Sequence, residues 1–158
     1  MTTKRTTAKV YAITGVALLG KRWAGQPVRV SIRGLFCLYC GSPNVLRIGD
    51  HFPPKAVSHA GYILPACNTC NGWVQARYPY NLEQRIAYVK RLIKKHYSRH
   101  LSAPAWDQTD LDDLSDEIRP IVTNSLAIQA EGQQKLAWEP LKYLRIIAPE
   151  HFSDLIMS

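Results

Sequence analysis

The stretch that decides the fold is ILPACNTCNGW, Ile63–Trp73. An apolar run ends at a proline, and two cysteines follow with two residues between them. That spacing lets both thiolates reach one tetrahedral ion from a tight turn, but supplies only half of a four-ligand site. The other half lies upstream in CLYCG, Cys37–Gly41, with 26 residues between the two pairs. Gly41 suits a backbone that must bend sharply after its cysteines. Two disulfides, or a redox CxxC, are the competing explanations. The first wants a secretory signal, and a lone redox motif does not come as a matched pair. Cys37, Cys40, Cys67 and Cys70 are therefore read as the ligands of one structural Zn2+.

The N-terminus bears on that choice. Lys4, Arg5 and Lys9 precede an apolar run, Val10–Gly20, in the manner of a signal peptide. Thr14 and Gly15 break the run, and Lys21-Arg22-Trp23 stands where a small-residue cleavage site belongs. The run is also too short to cross a bilayer, which takes about 20 residues. It is read as a buried strand or short helix of a cytoplasmic protein.

Between the knuckles, VLRIGDHF (Val45–Phe52) alternates as a strand does, and Pro53 and Pro54 end it because neither can donate to a ladder. YILP (Tyr62–Pro65) predicts a second short strand, and ACNTCNGW (Ala66–Trp73) a helical turn carrying the second knuckle. Strand alternation puts Asp50 and His51 on opposite faces. Gly49 and the prolines are expected to bend the chain so that the two converge.

In order and spacing, C-x-x-C-G, D-H-x-x-P and L-P-A-C-x-x-C-N, over about residues 35–75, resemble the zinc-bound HNH endonucleases of the ββα-metal nuclease superfamily. They look closest to the small HNH proteins of phages and prophages, where a basic helix often follows. The resemblance implies an α+β protein with a zinc-stapled, treble-clef-like ββα-metal core, an N-terminal extension and C-terminal helices. It implies an endonuclease that cleaves or nicks DNA, cytoplasmic in a bacterial host if phage-encoded. His51 matches the general base. Asp50 and Asn71 match the ligands of a catalytic divalent ion, Mg2+, Mn2+ or another. A neutral imidazole suits proton abstraction near neutral pH, and a hard ion on oxygen ligands suits the charge of the transition state. Many members carry an asparagine at the start of the second strand; Tyr62 stands there in this chain.

Charge points to the same partner. The 158-residue chain has a formal net charge of +8. Residues 1–105 hold 16 Lys/Arg against two acids, and residues 106–158 hold four against ten. A basic majority of that size attracts polyanions, nucleic acid above all. After the knuckles, Asn81 caps a helix with Gln84 at the capping-box position, and Leu82, Ile86, Val89, Ile93 and Tyr97 keep to one face. Its remaining surface carries Arg85, Lys90, Arg91, Lys94, Lys95 and Arg99. Arg85, Lys90, Arg91, Lys94 and Lys95, with Lys55 in the loop after the prolines, are read as contacts to the DNA phosphate backbone. The apolar stripe is narrow, suited to packing on the domain and not to a membrane. His96 and His100, and Trp23 and Trp73, are read as surface and packing residues.

Leu101–Gln108 reads as a linker, Asp110–Ile118 as an acidic helix, and Ile121–Glu131 and Trp138–Ile147 as two more helices. The organisation expected is an N-terminal extension (1–34), an HNH core (35–80), a basic helix (81–101) and an acidic helical region (107–158). The acidic region packs on the core or offers a surface to a protein partner. Two other classes stay open: a catalytically silent zinc module that binds DNA, and a partner-binding protein that keeps the nuclease fold as a scaffold.

Overall fold

The computed structural model describes residues 29–44, 48–75 and 81–157. The apolar run Val10–Gly20 and Trp23 lie outside them. The fold is α+β: a three-stranded sheet followed along the chain by helices. The central strand β3 (Gly61–Pro65) runs antiparallel to β2 (Gly49–Phe52), with His51 opposite Ile63 and Phe52 opposite Tyr62. Its other edge pairs in parallel with β1 (Arg29–Ser31), a strand the sequence does not reveal. Three residues give no measurable alternation, and parallel pairing carries no hairpin signal.

Among the described residues, the strand expected over Val45–Phe52 begins at Gly49 and leaves out Ile48. Asn44 is the physical reason on the described side: its amide donates to the Ile48 carbonyl and its Oδ1 accepts from the Ile48 N–H. The Ile48 carbonyl also accepts from the Ala66 N–H at 3.1 Å, one position past the Gly49–Pro65 pair, so it is the Ile48 N–H that Asn44 takes from the ladder; residues 45–47 lie outside the described set. No bend is needed in β2 either. It pairs regularly along its whole length, and burial alternates so that Asp50 and Phe52 face the core while Gly49 and His51 face outward.

The second knuckle opens α1 (Asn68–Val74), with the Cys67 sulfur accepting from the Cys70 N–H as an N-cap. Helix α2 (Leu82–Leu101) begins where expected, Asn81 accepting from the Gln84 N–H at 2.9 Å. Its predicted apolar face is buried, and Arg85 is buried with it. The acidic helix shortens to α3 (Gln108–Asp112), closed by a capping box between Asp107 and Asp110. Pro120 then opens a helix instead of interrupting one, because a first-turn proline removes an N–H that has no helical partner anyway. The result is α4 (Arg119–Ala137), longer than the segment expected. Helix α5 (Pro140–Ile147), a 3-10 turn (Pro149–His151) and α6 (Phe152–Met157) complete the chain.

One core joins these parts. Val30 of β1, Tyr39 of the first knuckle, Phe52, Leu64, Val89 and Ile93 bury together with Leu144 and Leu155 from the C-terminal helices. Helix α4 lies close against α2, where a Cβ on Gly132 would come within 2.8 Å of the Tyr97 ring. Trp138, just after α4, covers the first knuckle. Its indole N–H donates to the Leu38 carbonyl at 2.9 Å. Gly41, at φ +73°, leaves the space its ring occupies. The acidic region therefore docks beside the cysteines. Among the described residues, no helix is long and apolar enough to cross a membrane.

Candidate functional site

The two CxxC turns meet. The four cysteine sulfurs lie within 4.8 Å of one another, Cys40 Sγ and Cys67 Sγ being 3.7 Å apart. A tetrahedral ion with bonds of about 2.3 Å to sulfur wants neighbouring sulfurs about 3.8 Å apart. All four are free of disulfides, three are buried, and Cys67 is half-buried. Hydrogen bonds from Cys37 and then its neighbours pull the Cys40 thiol down, and Cys67 falls to about 7 with the bond to Cys37 as the largest cause. The same contacts push Cys37 and Cys70 up. Four sulfurs this close cannot all ionise without a cation among them, and a cluster of this kind can hold one metal ion such as zinc.

Around the corner of α1 the candidate catalytic residues come together. Asp50, His51, Lys55 and Asn71 line one cleft of about 330 Å³, with Pro54, Ala56 and Gln75. They converge because β2 is the edge strand and α1 packs against it, which brings residues from both sides of the strand to one rim. A larger cleft, about 440 Å³, runs along Ser31, Arg33, Asn44 and Ile63, and none of the candidate catalytic residues lines it.

His51 is half-buried, and its pKa lies below the usual 6.5. Burial is the first cause, followed by the positive charges of Lys55 and Arg29, against a weaker opposing pull from Asp50. The imidazole is neutral at pH 7 and able to accept a proton. Arg29 carries no signal in the sequence. Its guanidinium donates to the carbonyls of Pro53 (2.8 Å), Tyr62 (3.3 Å) and Ser58, fastening the loop that carries Lys55 to the sheet. Only the loop's carbonyls explain that role, and no sequence pattern announces them.

Tyr62 does not replace the absent asparagine. It pairs with Phe52 and so points to the face opposite His51. Its ring packs 5.6 Å from that of His151, and burial, then Asp154, raises its hydroxyl pKa to about 12. Among the described residues no hydrogen bond reaches the His51 ring.

Three assignments change. Asp50, expected to hold a divalent ion, is 2% exposed and already occupied. Arg85 Nη2 donates to Oδ1 at 2.6 Å and Nε to Oδ2 at 2.8 Å, and the Tyr39 hydroxyl donates to Oδ2 at 2.5 Å. Arg85, expected on DNA, is 0% exposed. Its position, three residues after Leu82 and four before Val89, falls inside the buried stripe, a signal present in the sequence. Lys90, also expected on DNA, points its ammonium at the end of α4. It donates to the carbonyls of Lys135, Leu136 and Trp138 at 2.7–2.8 Å, capping groups that no helical N–H serves. Arg91, Lys94 and Lys95 remain exposed on the far side of α2.

The two donor sets differ in how well they suit the ions implied for them. The cysteine cluster fits zinc. Asp50 and Asn71 do not fit a catalytic divalent ion as arranged, because three of the carboxylate's roughly four acceptor positions are taken and a guanidinium already neutralises it. No protein-family model, curated protein or solved structure matches the chain.

Proposed function

We propose that the protein is a zinc-stapled, HNH-like nuclease that holds nucleic acid by its phosphates and hydrolyses a phosphodiester bond in the cleft beside α1. The observation that carries this is the meeting of His51, Lys55 and Asn71, residues from a strand, a loop and a helix, at one rim next to a four-thiol cluster. His51, neutral near pH 7, takes the proton from the attacking water. Lys55 offers its ammonium to the phosphate, and Asn71 offers an amide to orient it or the water. Arg91, Lys94 and Lys95 extend a cationic surface along α2 for the backbone of the same strand or duplex.

Binding without cleavage is the second possibility, favoured by the Asp50–Arg85 pair, which engages the one carboxylate of the cleft. Plasmid cleavage by the parent and by His51→Ala, with magnesium, manganese or nickel and in divalent-free buffer, separates the two. Cleavage that falls by about a hundredfold or more in His51→Ala, with DNA affinity unchanged, fits a general base. A parent that binds DNA but cuts it under none of these conditions is a binding module.

A further inference from the structure

Buried ion pairs are rare because each charge loses its hydration, and they persist when geometry compensates fully. The pair behind this cleft, of which Asp50 lines the wall, is fully compensated. Arg85 meets Asp50 through two parallel N–H···O bonds, the bidentate geometry that suits guanidinium and carboxylate best. Tyr39 closes the remaining side of Oδ2 and also accepts from Arg85 Nε at 3.2 Å. Tyr39 is itself completely buried, and its pKa is raised, first by burial and next by Asp50, so the hydroxyl keeps the proton it donates. A further Arg85 bond, Nη2 to the Gln75 carbonyl at 3.4 Å, ties the guanidinium to the residue that ends α1 and lines the cleft.

From these contacts we infer that Arg85, buried behind the cleft, is the resident cation of Asp50, occupying it in place of a divalent ion and excluding one from the Asp50–Asn71 position. This rests on the reading of the cleft as a phosphate site and deepens it: with Asp50 neutralised by Arg85, the positive charge offered to a phosphate there is that of Lys55 and not of a bound dication. Two physical facts carry it. A dication on the one open position of Oδ1 would sit within a few ångströms of a guanidinium held at 2.6 Å from the same oxygen, and the two positive charges repel strongly at the effective dielectric of a protein site. Nor can Arg85 move aside cheaply, since it lies on the buried face of α2, between Leu82 and Val89, where no water replaces the carboxylate.

The test needs no nucleic acid and so stands apart from any cleavage assay. The zinc-loaded protein is titrated with Mn2+ alone, and paramagnetic broadening of the His51 ring and Asn71 side-chain amide signals is read by NMR. The parent is expected to show none at millimolar Mn2+. Arg85→Gln, which removes the charge and keeps a donor, is expected to show broadening at concentrations at least about tenfold lower than any seen in the parent. Tyr39→Phe opens a second acceptor position while leaving Arg85 in place, and is expected to behave like the parent; it keeps the test decisive if Arg85→Gln does not fold. Broadening in the parent that disappears in Asp50→Asn overturns the inference. So does broadening in Tyr39→Phe, or a folded Arg85→Gln that still admits no ion.

Discussion

Asp50→Ala separates a buried anchor from a solvated metal ligand by stability alone. The substitution deletes the acceptor of two bonds from Arg85 and one from Tyr39, all buried. It leaves a guanidinium with 0% exposure facing a small cavity. Removing one partner of a buried ion pair costs about 3–5 kcal/mol, mostly the desolvation of the charge left behind. Domains of this size are stable by about 5–15 kcal/mol, so the variant should still fold at 25 °C. Its melting temperature should drop by about 6–20 °C at roughly 2–4 °C per kcal/mol. The assay is urea unfolding followed by circular dichroism, with zinc retained and no other divalent ion present. Arg85→Met completes the cycle. Alone it strands Asp50 and costs a similar amount, but in Asp50→Ala/Arg85→Met the site becomes apolar and the loss should be smaller than in either single variant. A carboxylate whose role was to hold an ion would give, in ion-free buffer, a change within about 0.5 kcal/mol, as surface sites do. That result, or a double variant whose loss equals the sum of the singles, refutes the buried-anchor role.

Other outcomes follow from the same contacts. His51 has a depressed pKa, so the unfolded chain binds its proton first as pH falls. Its contribution to stability is present above about 6.5 and declines as pH drops through the lower folded value; NMR titration should place its midpoint below 6.5, and Lys55→Ala should move it upward. Trp138→Ala removes a half-buried indole and the bond to Leu38, and should cost about 2–4 kcal/mol by chemical denaturation; a loss under about 0.5 kcal/mol would show that the C-terminal helices do not depend on this contact. Reversing Arg91, Lys94 and Lys95 to Glu should weaken DNA binding and flatten the salt dependence by a slope of about 3, while Lys90→Ala should leave the slope unchanged and destabilise the end of α4 by about 1–3 kcal/mol. Cys67→Ser should release the metal and unfold or aggregate the protein; a folded variant with no metal by elemental analysis would remove zinc from its structural role.

The cysteine cluster is legible in the sequence, because a two-residue spacing in each turn constrains the thiols locally and only the meeting of the two turns depends on the fold. Helix α2 is equally plain: its cap and its apolar stripe are properties of one segment, set by the 3.6-residue period. The grouping of Asp50, His51 and Asn71 comes from the sequence only through the resemblance of the motif order to the HNH endonucleases. What each charged side chain does there is not legible. Arg85 and Lys90 read as surface cations, since a lone segment shows charge but not the acceptor that makes burial tolerable. Asp50 lies 35 residues from Arg85, and Lys90 lies 45 or more from the carbonyls it caps. Parallel β1, and Trp138 seated on Gly41 across about a hundred residues, belong to the same class. Local sequence determines periodicity, caps and ligand spacing. Which buried charge is neutralised, and by whom, is decided only when packing brings distant groups within hydrogen-bond range and removes the water that would otherwise have served them.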